Sequence, residues 1–361
     1  MDNICIQKIR LLCEGANVEK KIDKGRKSGA GPAGGSFFEL GDSILNLPLW
    51  PKFAQASKLK LIKDDKDWKI ICNGKTYCKL KKISPPKFYS LKTTDGVLMK
   101  KIALLHGRDC LATTIYQKCV YWGKNLQCKF CGIELSYRES DTILKKSPSQ
   151  ILEVLLKGLE EKRVKHMTLT TGTLQKREKE VELYSEILEK LKSNVKIPVH
   201  VQLEPASKKN LEKLASKGLD TIGIHIENFD EKVRQKVCPG KYKSAKLETY
   251  KKSWKDAVEI FGEAQVSSYV IIGLGEDDDS IIKGSEWLIR NGIIPFIVPI
   301  KPIVGTIFEN YIPPFADRTL NICQNVADLF REYGLNPFRN KAGCVRCGAC
   351  SPINEAIKYL K

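Results

Sequence analysis

The sequence has no long hydrophobic run and only four histidines. Across its 361 residues, no apolar segment approaches the roughly 20 residues that a membrane-spanning helix needs. The first residues, MDNICIQKIRLLCEG, contain no basic stretch followed by an apolar run. We therefore expect no secretion signal, no membrane contact and a cytoplasmic location. The histidines are each expected to be structural: His106, His166, His200 and His225.

Acidic residues are outnumbered, with 42 Asp and Glu against 61 Lys and Arg, so the net charge is +19. Such a charge attracts acidic partners, namely nucleic acid, an acidic carrier domain or a small acidic electron-transfer protein. The lysines are spread along the whole chain and there is no arginine-rich arm. This distribution favours a solvated surface, so nucleic-acid binding is not expected.

The order of the predicted strands and helices divides the chain into three parts. Residues 1–98 are punctuated by glycine and proline and predict a small β-rich or mixed accessory module. Over 99–315, six strands alternate with helices, beginning with a strand at ATTIYQKCVY, and a helix follows with Ser147 as N-cap and Pro148 at its first position. This alternation predicts a parallel sheet, either doubly wound or a partial barrel. Residues 316–361 form a last helix and a cysteine-bearing loop.

Thirteen cysteines, an odd number, indicate metal ligands or buried thiols rather than a disulfide framework. Seven are scattered and are expected to be small buried hydrophobic residues: Cys5, Cys13, Cys72, Cys78, Cys110, Cys238 and Cys323. The other six form two triplets.

The first triplet, Cys119, Cys128 and Cys131, lies in the loop QKCVYWGKNLQCKFCGIE after the first core strand. The C-terminal ends of parallel strands are where α/β folds place their chemistry. Zinc usually has four protein ligands in structural sites, or histidine and carboxylate ligands in catalytic ones. Three thiolates without a fourth fit an iron–sulfur cluster with one open iron, and a zinc knuckle is the alternative.

The second triplet, Cys344, Cys347 and Cys350, has two residues between successive cysteines, as at the start of a ferredoxin-type run. A fourth cysteine three residues further on is absent, since the chain continues Ser351-Pro352. We predict an auxiliary [4Fe-4S] cluster whose fourth ligand is not identified: either a distant cysteine completes the set or one iron is open. Zinc is again the alternative.

Together these segments resemble the radical S-adenosylmethionine (SAM) superfamily. Its signature has three cysteines separated by three and then two residues; here Cys128-x-Phe130-Cys131 keeps the second spacing, while eight residues separate the first pair. The segments TTGT, HIENFDEKVRQKVCPG and VIIGLGE follow in order over roughly residues 100–310. The resemblance implies an α/β radical SAM partial (β/α)6 barrel with a C-terminal cluster-binding extension. It also implies the SAM-binding residues Thr171, Gly172, Glu204, Glu227, Asn228, Gly273 and Gly275.

The resemblance further implies an enzyme that reductively cleaves SAM at a [4Fe-4S] cluster to make a 5′-deoxyadenosyl radical. HIENFDEKVRQKVCPG is similar to a lipoyl synthase segment. The segments AGPAGG and KIALLHGRDCLATT, with the C-terminal cysteines, are similar to the biotin-synthase-related branch, which includes an uncharacterised family associated with nitrilase gene clusters. This suggests a sulfurtransferase that inserts sulfur into an unactivated carbon.

The implied partners are a small-molecule or carrier-protein-bound substrate and an acidic electron donor such as ferredoxin or flavodoxin. Two alternatives stay open: a radical SAM reaction of another type on a small molecule, and a non-enzymatic iron–sulfur or zinc protein that binds nucleic acid. No residue is assigned to catalysis beyond the ligands of the cofactors.

Overall fold

The structure is a computed structural model that describes residues 3–18, 25–29, 31, 33–64 and 67–360. Ala30 and Pro32 of the AGPAGG segment, and Met1 and Asp2 of the N-terminal segment, lie outside the described residues. Within the described part of the chain, no helix is both long and apolar enough to cross a membrane.

The N-terminal module is built around a six-stranded sheet. Its elements are α1 (Ile4–Glu14), β1 (Asn17–Val18), β2 (Gly35–Leu40), β3 (Ser43–Pro48), α2 (Lys52–Gln55), β4 (Lys60–Asp64), β5 (Asp67–Cys72) and β6 (Lys75–Lys82). The strand order is β1-β4-β5-β6-β2-β3, and all neighbours except β1 and β4 are antiparallel. Buried leucines and aromatic residues give the module an apolar core of its own, with Phe38, Leu47 and Ile70 fully buried.

The core of the chain is a second sheet of seven strands. A 3-10 turn (Lys87–Ser90) and α3 (Met99–Ile102) lead into it. Its elements are β7 (Leu104–His106), β8 (Cys110–Thr114), α4 (Leu135–Arg138), α5 (Pro148–Glu160), β9 (His166–Thr170), α6 (Arg177–Lys192), β10 (Val199–Leu203), α7 (Lys208–Ser216), β11 (Thr221–Ile224), α8 (Glu231–Val237), α9 (Pro239–Ser244), α10 (Leu247–Phe261), β12 (Val266–Ile272), α11 (Asp278–Arg290) and β13 (Ile293–Pro299).

The strand order decides between the two architectures that the sequence left open. Strands β8 to β13 are parallel and lie side by side in chain order, with β7 antiparallel at the β8 edge. A doubly wound sheet reverses its strand order at a switch point, whereas a barrel does not. The partial (β/α)6 barrel is therefore confirmed.

Two local predictions had different outcomes. Helix α5 begins as expected, because Ser147 and Gln150 form a reciprocal capping box and Pro148 occupies the first turn. The first strand was predicted over ATTIYQKCVY but ends at Thr114. Beyond Thr114 the chain enters the cysteine loop, where Gln117 N donates to the Leu144 carbonyl and Val120 N to the Thr173 carbonyl, both outside the strands.

The C-terminal part packs back onto both preceding units. It contains α12 (Ala316–Tyr333), a 3-10 turn (Pro337–Arg339), α13 (Cys344–Cys347) and α14 (Ile353–Tyr359). The fully buried Lys8 of α1 donates from Nζ to the Gly348 carbonyl at 2.9 Å and pairs with Glu355 at 2.8 Å. Helix α1 thus anchors the segment that carries the second cysteine triplet.

Candidate active site

Alternate residues of the barrel strands face in opposite directions. In β9, Met167 and Leu169 pack into the apolar layer beneath the helices, while Thr168 and Thr170 line a central cavity. In β10, Val201 packs into the same outer layer, while Gln202 lines the cavity. This period of two separates an outer apolar layer from a lumen into which polar side chains also project.

The first cysteine triplet lies at the C-terminal ends of the strands, as predicted. Val120 N donates to the Thr173 carbonyl at 2.8 Å, so the loop is bonded to the residues that follow β9. Further along, Lys129 N donates to the Val237 carbonyl at 2.9 Å, and the Lys129 carbonyl accepts from Phe308 N at 3.0 Å. Backbone bonds from three segments therefore fix the cysteine loop over the barrel mouth.

The second triplet lies at the opposite end of the barrel. Gly343 N donates to His166 Nδ1 at 3.2 Å, and the Ala342 carbonyl accepts from Thr221 Oγ1 at 3.2 Å. His166 and Thr221 are the first residues of β9 and β11, so the C-terminal segment closes the floor of the lumen.

Both triplets line one cavity of ≈ 380 Å³. An adjoining cavity of ≈ 320 Å³ shares part of its wall, including Phe130, Gln202, Tyr269 and Cys350. All six predicted metal ligands thus face the lumen, from its two ends: Cys119, Cys128, Cys131, Cys344, Cys347 and Cys350.

Polar donors surround the sulfurs of the second triplet. Gln202 Nε2 donates to Cys344 Sγ at 3.3 Å, and Asn46 Nδ2 donates to Cys350 Sγ at 3.7 Å. Gly107 approaches Cys347 so closely that a Cβ on this glycine would lie 2.8 Å from Sγ. Hydrogen bonds of this kind stabilise sulfur in its negatively charged form, which is the form that binds metals.

Within the described ranges, no three His, Cys, Asp or Glu side chains are gathered as ligands of one metal ion. A [4Fe-4S] cluster does not require such convergence, because each iron takes its own thiolate and the ligands surround the cluster. Each triplet supplies only thiol sulfur, with no carboxylate or imidazole among its members. This donor set fits an iron–sulfur cluster.

Glu204 is a buried carboxylate held by three donors at the barrel mouth. It accepts from Thr173 Oγ1 at 2.8 Å and from Tyr121 OH at 3.2 Å, and it pairs with Arg177 at 3.2 Å. Arg177 also pairs with the buried Glu180. Sequence reasoning identified Glu204 but missed these partners, since only the fold brings the loop and α6 to the end of β10.

Glu227 lines the same cavity in an unusual backbone conformation. Its φ of 69° lies in the left-handed region, which is uncommon for a residue other than glycine. Its carboxylate pairs with Lys241 Nζ at 2.5 Å. Burial alone would lower the pKa of Lys241, but Glu227 and the other acidic groups around it together outweigh burial, so the pKa lies well above its usual value.

Of the other predicted SAM-binding residues, Thr171 and Gly172 line the cavity. Asn228, Gly273 and Gly275 are not among the described residues that line the cavity. Asn228 Nδ2 and Gly273 N instead donate to Glu276 at 3.0 and 2.7 Å. Their contact with SAM stays a prediction.

Two cysteines that were expected to be ordinary core residues lie beside the triplets. Cys110 lines the cavity, and Cys238 is in hydrogen-bond contact with Cys128. This contact, together with burial, raises the pKa of Cys238 well above its usual value. Cys110 and Cys238 are isolated in the sequence, so the sequence did not indicate that either of them lies beside a triplet.

Lys146 is a buried cation in the cavity wall that sequence reasoning also missed. Its Nζ donates to the Thr114 carbonyl at 2.5 Å, where β8 ends. Burial, and then the nearby Arg26, lower its pKa from 10.5 to about 7.

Comparison with known proteins gives a match within the core. Residues 125–288 match the family model of the radical SAM superfamily. The match supports a radical SAM assignment for this part of the chain. The match includes Cys128, Cys131, Glu204 and Glu227, whereas Cys119 precedes it and the second triplet follows it. The matched superfamily implies a [4Fe-4S] cluster and SAM as the cofactors of this region.

One curated relative is bacteriochlorophyllide c C-7(1)-hydroxylase from Chlorobaculum limnaeum. It is 28% identical over 130 residues, which cover 36% of this chain and 32% of that protein. The chain therefore matches about a third of the length of this relative.

Two solved structures match this chain with low scores. A radical SAM methyltransferase from Sphaerobacter thermophilus has a TM-score of 0.48 and 11% identity, over 80% of this chain and 76% of its own. Methylornithine synthase has a TM-score of 0.46 and 16% identity, over 75% of this chain and 78% of its own.

Proposed function

We propose that this chain is a radical SAM enzyme whose substrate lies in the barrel lumen between two iron–sulfur clusters. The observation that carries the proposal is that both cysteine triplets line one cavity from its opposite ends. The first cluster would be held by Cys119, Cys128 and Cys131, and the second by Cys344, Cys347 and Cys350. When bound, the first cluster and SAM supply a hydrogen-abstracting carbon radical by one-electron cleavage of SAM.

The chain's own residues would position SAM and limit water at the barrel mouth. Glu204 and Glu227 are each held in place by charged or hydroxyl partners, so their carboxylates are fixed before any ligand arrives. Thr171 adds a hydroxyl to the same wall. Phe130 lines both cavities and presents an apolar surface beside the first triplet, which favours the exclusion of water that radical chemistry needs.

The reaction we propose is sulfur insertion into an unactivated carbon, as in the biotin and lipoyl synthase branch. Its support is the second triplet, which lines the far end of the lumen. A cluster held there would be a sulfide source within the same enclosure as a substrate. In such a reaction a substrate C–H bond would be replaced by a C–S bond. Bound SAM would supply the radical that takes up the hydrogen atom. A cluster held by Cys344, Cys347 and Cys350 would supply the sulfide and accept the electron that carbon–sulfur bond formation releases. The electron that cleaves SAM comes from an external reductant, and the net charge of +19 favours an acidic donor such as ferredoxin or flavodoxin.

The cofactor assignment can be tested by anaerobic reconstitution with iron and sulfide. We expect about eight iron and eight sulfide per chain, corresponding to two four-iron clusters. Cys128→Ala should halve both contents and abolish SAM-dependent formation of 5′-deoxyadenosine. Cys323→Ala, which removes a buried thiol from α12, is the matched control and should change neither. About one zinc per chain without sulfide would rule out the proposal and favour the zinc alternative.

Sulfur insertion requires a separate test. Protein reconstituted with isotopically labelled sulfide should transfer the label to a carrier-bound or small-molecule acyl substrate. Cys347→Ala should keep 5′-deoxyadenosine formation and lose label transfer. The hydroxylase and methyltransferase activities named for the similar proteins represent other outcomes. If the Cys347→Ala variant still forms product without the second cluster, that cluster is not the sulfur donor.

A further inference from the structure

The second triplet has three cysteines, and a fourth thiol faces it from the barrel wall. Cys110 is the first residue of β8, and its side chain is 2% exposed. Cys110 and Ala112 line the cavity, whereas Leu111 between them packs into the outer apolar core. The alternation of the strand therefore directs the Cys110 sulfur into the lumen rather than into the core.

Two residues near Cys110 contact the segment that carries the triplet. In the sheet, Cys110 pairs with His166 of β9, and His166 Nδ1 accepts from Gly343 N, the residue before Cys344. In the turn before β8, Gly107 lies against Cys347 Sγ. Cys110 is thus flanked by residues that touch both ends of α13.

Cys110 Sγ lies 3.3 Å from Thr168 Oγ1, its hydrogen-bond partner in the cavity wall. Cys110 and all three cysteines of the triplet line the same cavity.

We propose that Cys110 is the fourth ligand of the iron–sulfur cluster held by Cys344, Cys347 and Cys350. This inference rests on the second cluster of the proposed function. Four cysteine thiolates are the usual complete ligand set of a [4Fe-4S] cluster. Strand β8 would then supply the fourth cysteine that is absent from the C-terminal run after Cys350. Only the first cluster would have an open iron for SAM.

The other polar side chains around the triplet suit a supporting role. Gln202 and Asn46 contact Cys344 and Cys350 through their amide nitrogens, which are hydrogen-bond donors. Donors of this kind stabilise cluster sulfurs and tune the reduction potential without binding iron.

The test uses the full chain in a background that cannot form the first cluster: Cys119→Ala, Cys128→Ala and Cys131→Ala combined. After anaerobic reconstitution, this background should hold about four iron per chain, and its electron paramagnetic resonance spectrum after reduction should not change on addition of cyanide. Adding Cys110→Ala should make one iron labile, so that mild ferricyanide oxidation yields a [3Fe-4S] spectrum and cyanide shifts the spectrum of the reduced cluster. Adding Cys323→Ala instead should give the spectra of the background.

Cys110→Ser, which nearly preserves side-chain volume, separates ligand loss from a packing defect. Its circular dichroism and apoprotein melting temperature should match those of the background, while its iron should be lost faster on oxidation. Identical spectra and iron retention in the Cys110 and Cys323 variants would overturn the inference and leave the second cluster standing. A background without iron and sulfide would remove the second cluster itself, and the inference with it.

Discussion

At the scale of single residues, Gly172 determines how closely the cysteine loop approaches the end of β9. Its backbone N–H donates to the Tyr116 carbonyl at 2.9 Å, and a Cβ at this position would lie 2.0 Å from the Lys118 carbonyl oxygen. Glycine is therefore needed for close contact of two backbones. The resemblance gave this glycine a role in holding SAM, whereas its described contacts connect it to the loop that carries Cys119.

We predict that Gly172→Ala displaces the start of the cysteine loop. The new methyl group cannot be accommodated against a backbone oxygen, so the free energy of unfolding should fall by about 1–3 kcal/mol. Iron bound by the first triplet should also fall, while iron bound by the second should not. Chemical unfolding and iron analysis measure the two effects. Thr171→Ala, the neighbouring change that adds no volume, is the control, and equal losses in both variants would contradict the explanation.

Lys146 gives a prediction about pH at the same scale. Its pKa is about 7 in the folded protein and 10.5 in its ordinary state, because burial and Arg26 disfavour its charge. Between these values the unfolded chain binds more protons than the folded one, so stability rises with pH. From pH 7 to 8 the contribution should be about 1 kcal/mol. Denaturant unfolding should show this rise in the native protein relative to Lys146→Met, and parallel curves would exclude the low pKa.

At the scale of elements, the sequence predicted the repeating units better than their surroundings. Alternating strands and helices, the N-cap at Ser147 and the position of the first cysteine loop follow from local patterns. The short antiparallel strand β7 and the early end of β8 were not predicted, because they depend on backbone bonds with distant segments. Glu204 was predicted, but Arg177 and Tyr121 around it required the fold.

Helices α1 and α14 are joined by an interaction that no local sequence pattern reveals. Lys8 and Glu355 are 347 positions apart, yet they form a buried ion pair, and Glu355 also accepts from Ser43 Oγ at 2.7 Å. The pair joins the N-terminal module to the segment of the second triplet.

We predict that Lys8→Met destabilises the protein by about 3–5 kcal/mol, because it leaves the Glu355 carboxylate buried without its cation. The double variant Lys8→Met/Glu355→Gln should recover part of this loss, since a neutral amide costs less to bury than a charge. Chemical unfolding of the single and double variants measures the difference. A double variant that is less stable than Lys8→Met would show that the charge is not the cause.

At the scale of the whole molecule, the barrel lumen connects two thiol-rich ends. The sequence showed both triplets but placed them only along the chain, at opposite sides of the core. Their common cavity arises because the C-terminal segment returns beneath the barrel floor, where Gly343 lies against the ring of His200. A long-range contact between backbone and ring leaves no periodic trace in the sequence, so only the structure could reveal it.

The last prediction concerns this closure. In Gly343→Ala, the methyl group would lie 2.5 Å from His200 Cγ, and the φ of 95° is itself unfavourable for alanine. Gly334→Ala is the matched control, because its φ of 69° is also positive but no atom lies within 4 Å of the new Cβ. A strained backbone alone costs about 1–3 kcal/mol. We therefore expect both variants to lose stability, but only Gly343→Ala to lose the iron of the second triplet, while the response of the first cluster to SAM persists. Equal iron contents in the two variants would mean that closure of the barrel floor does not hold the second site together.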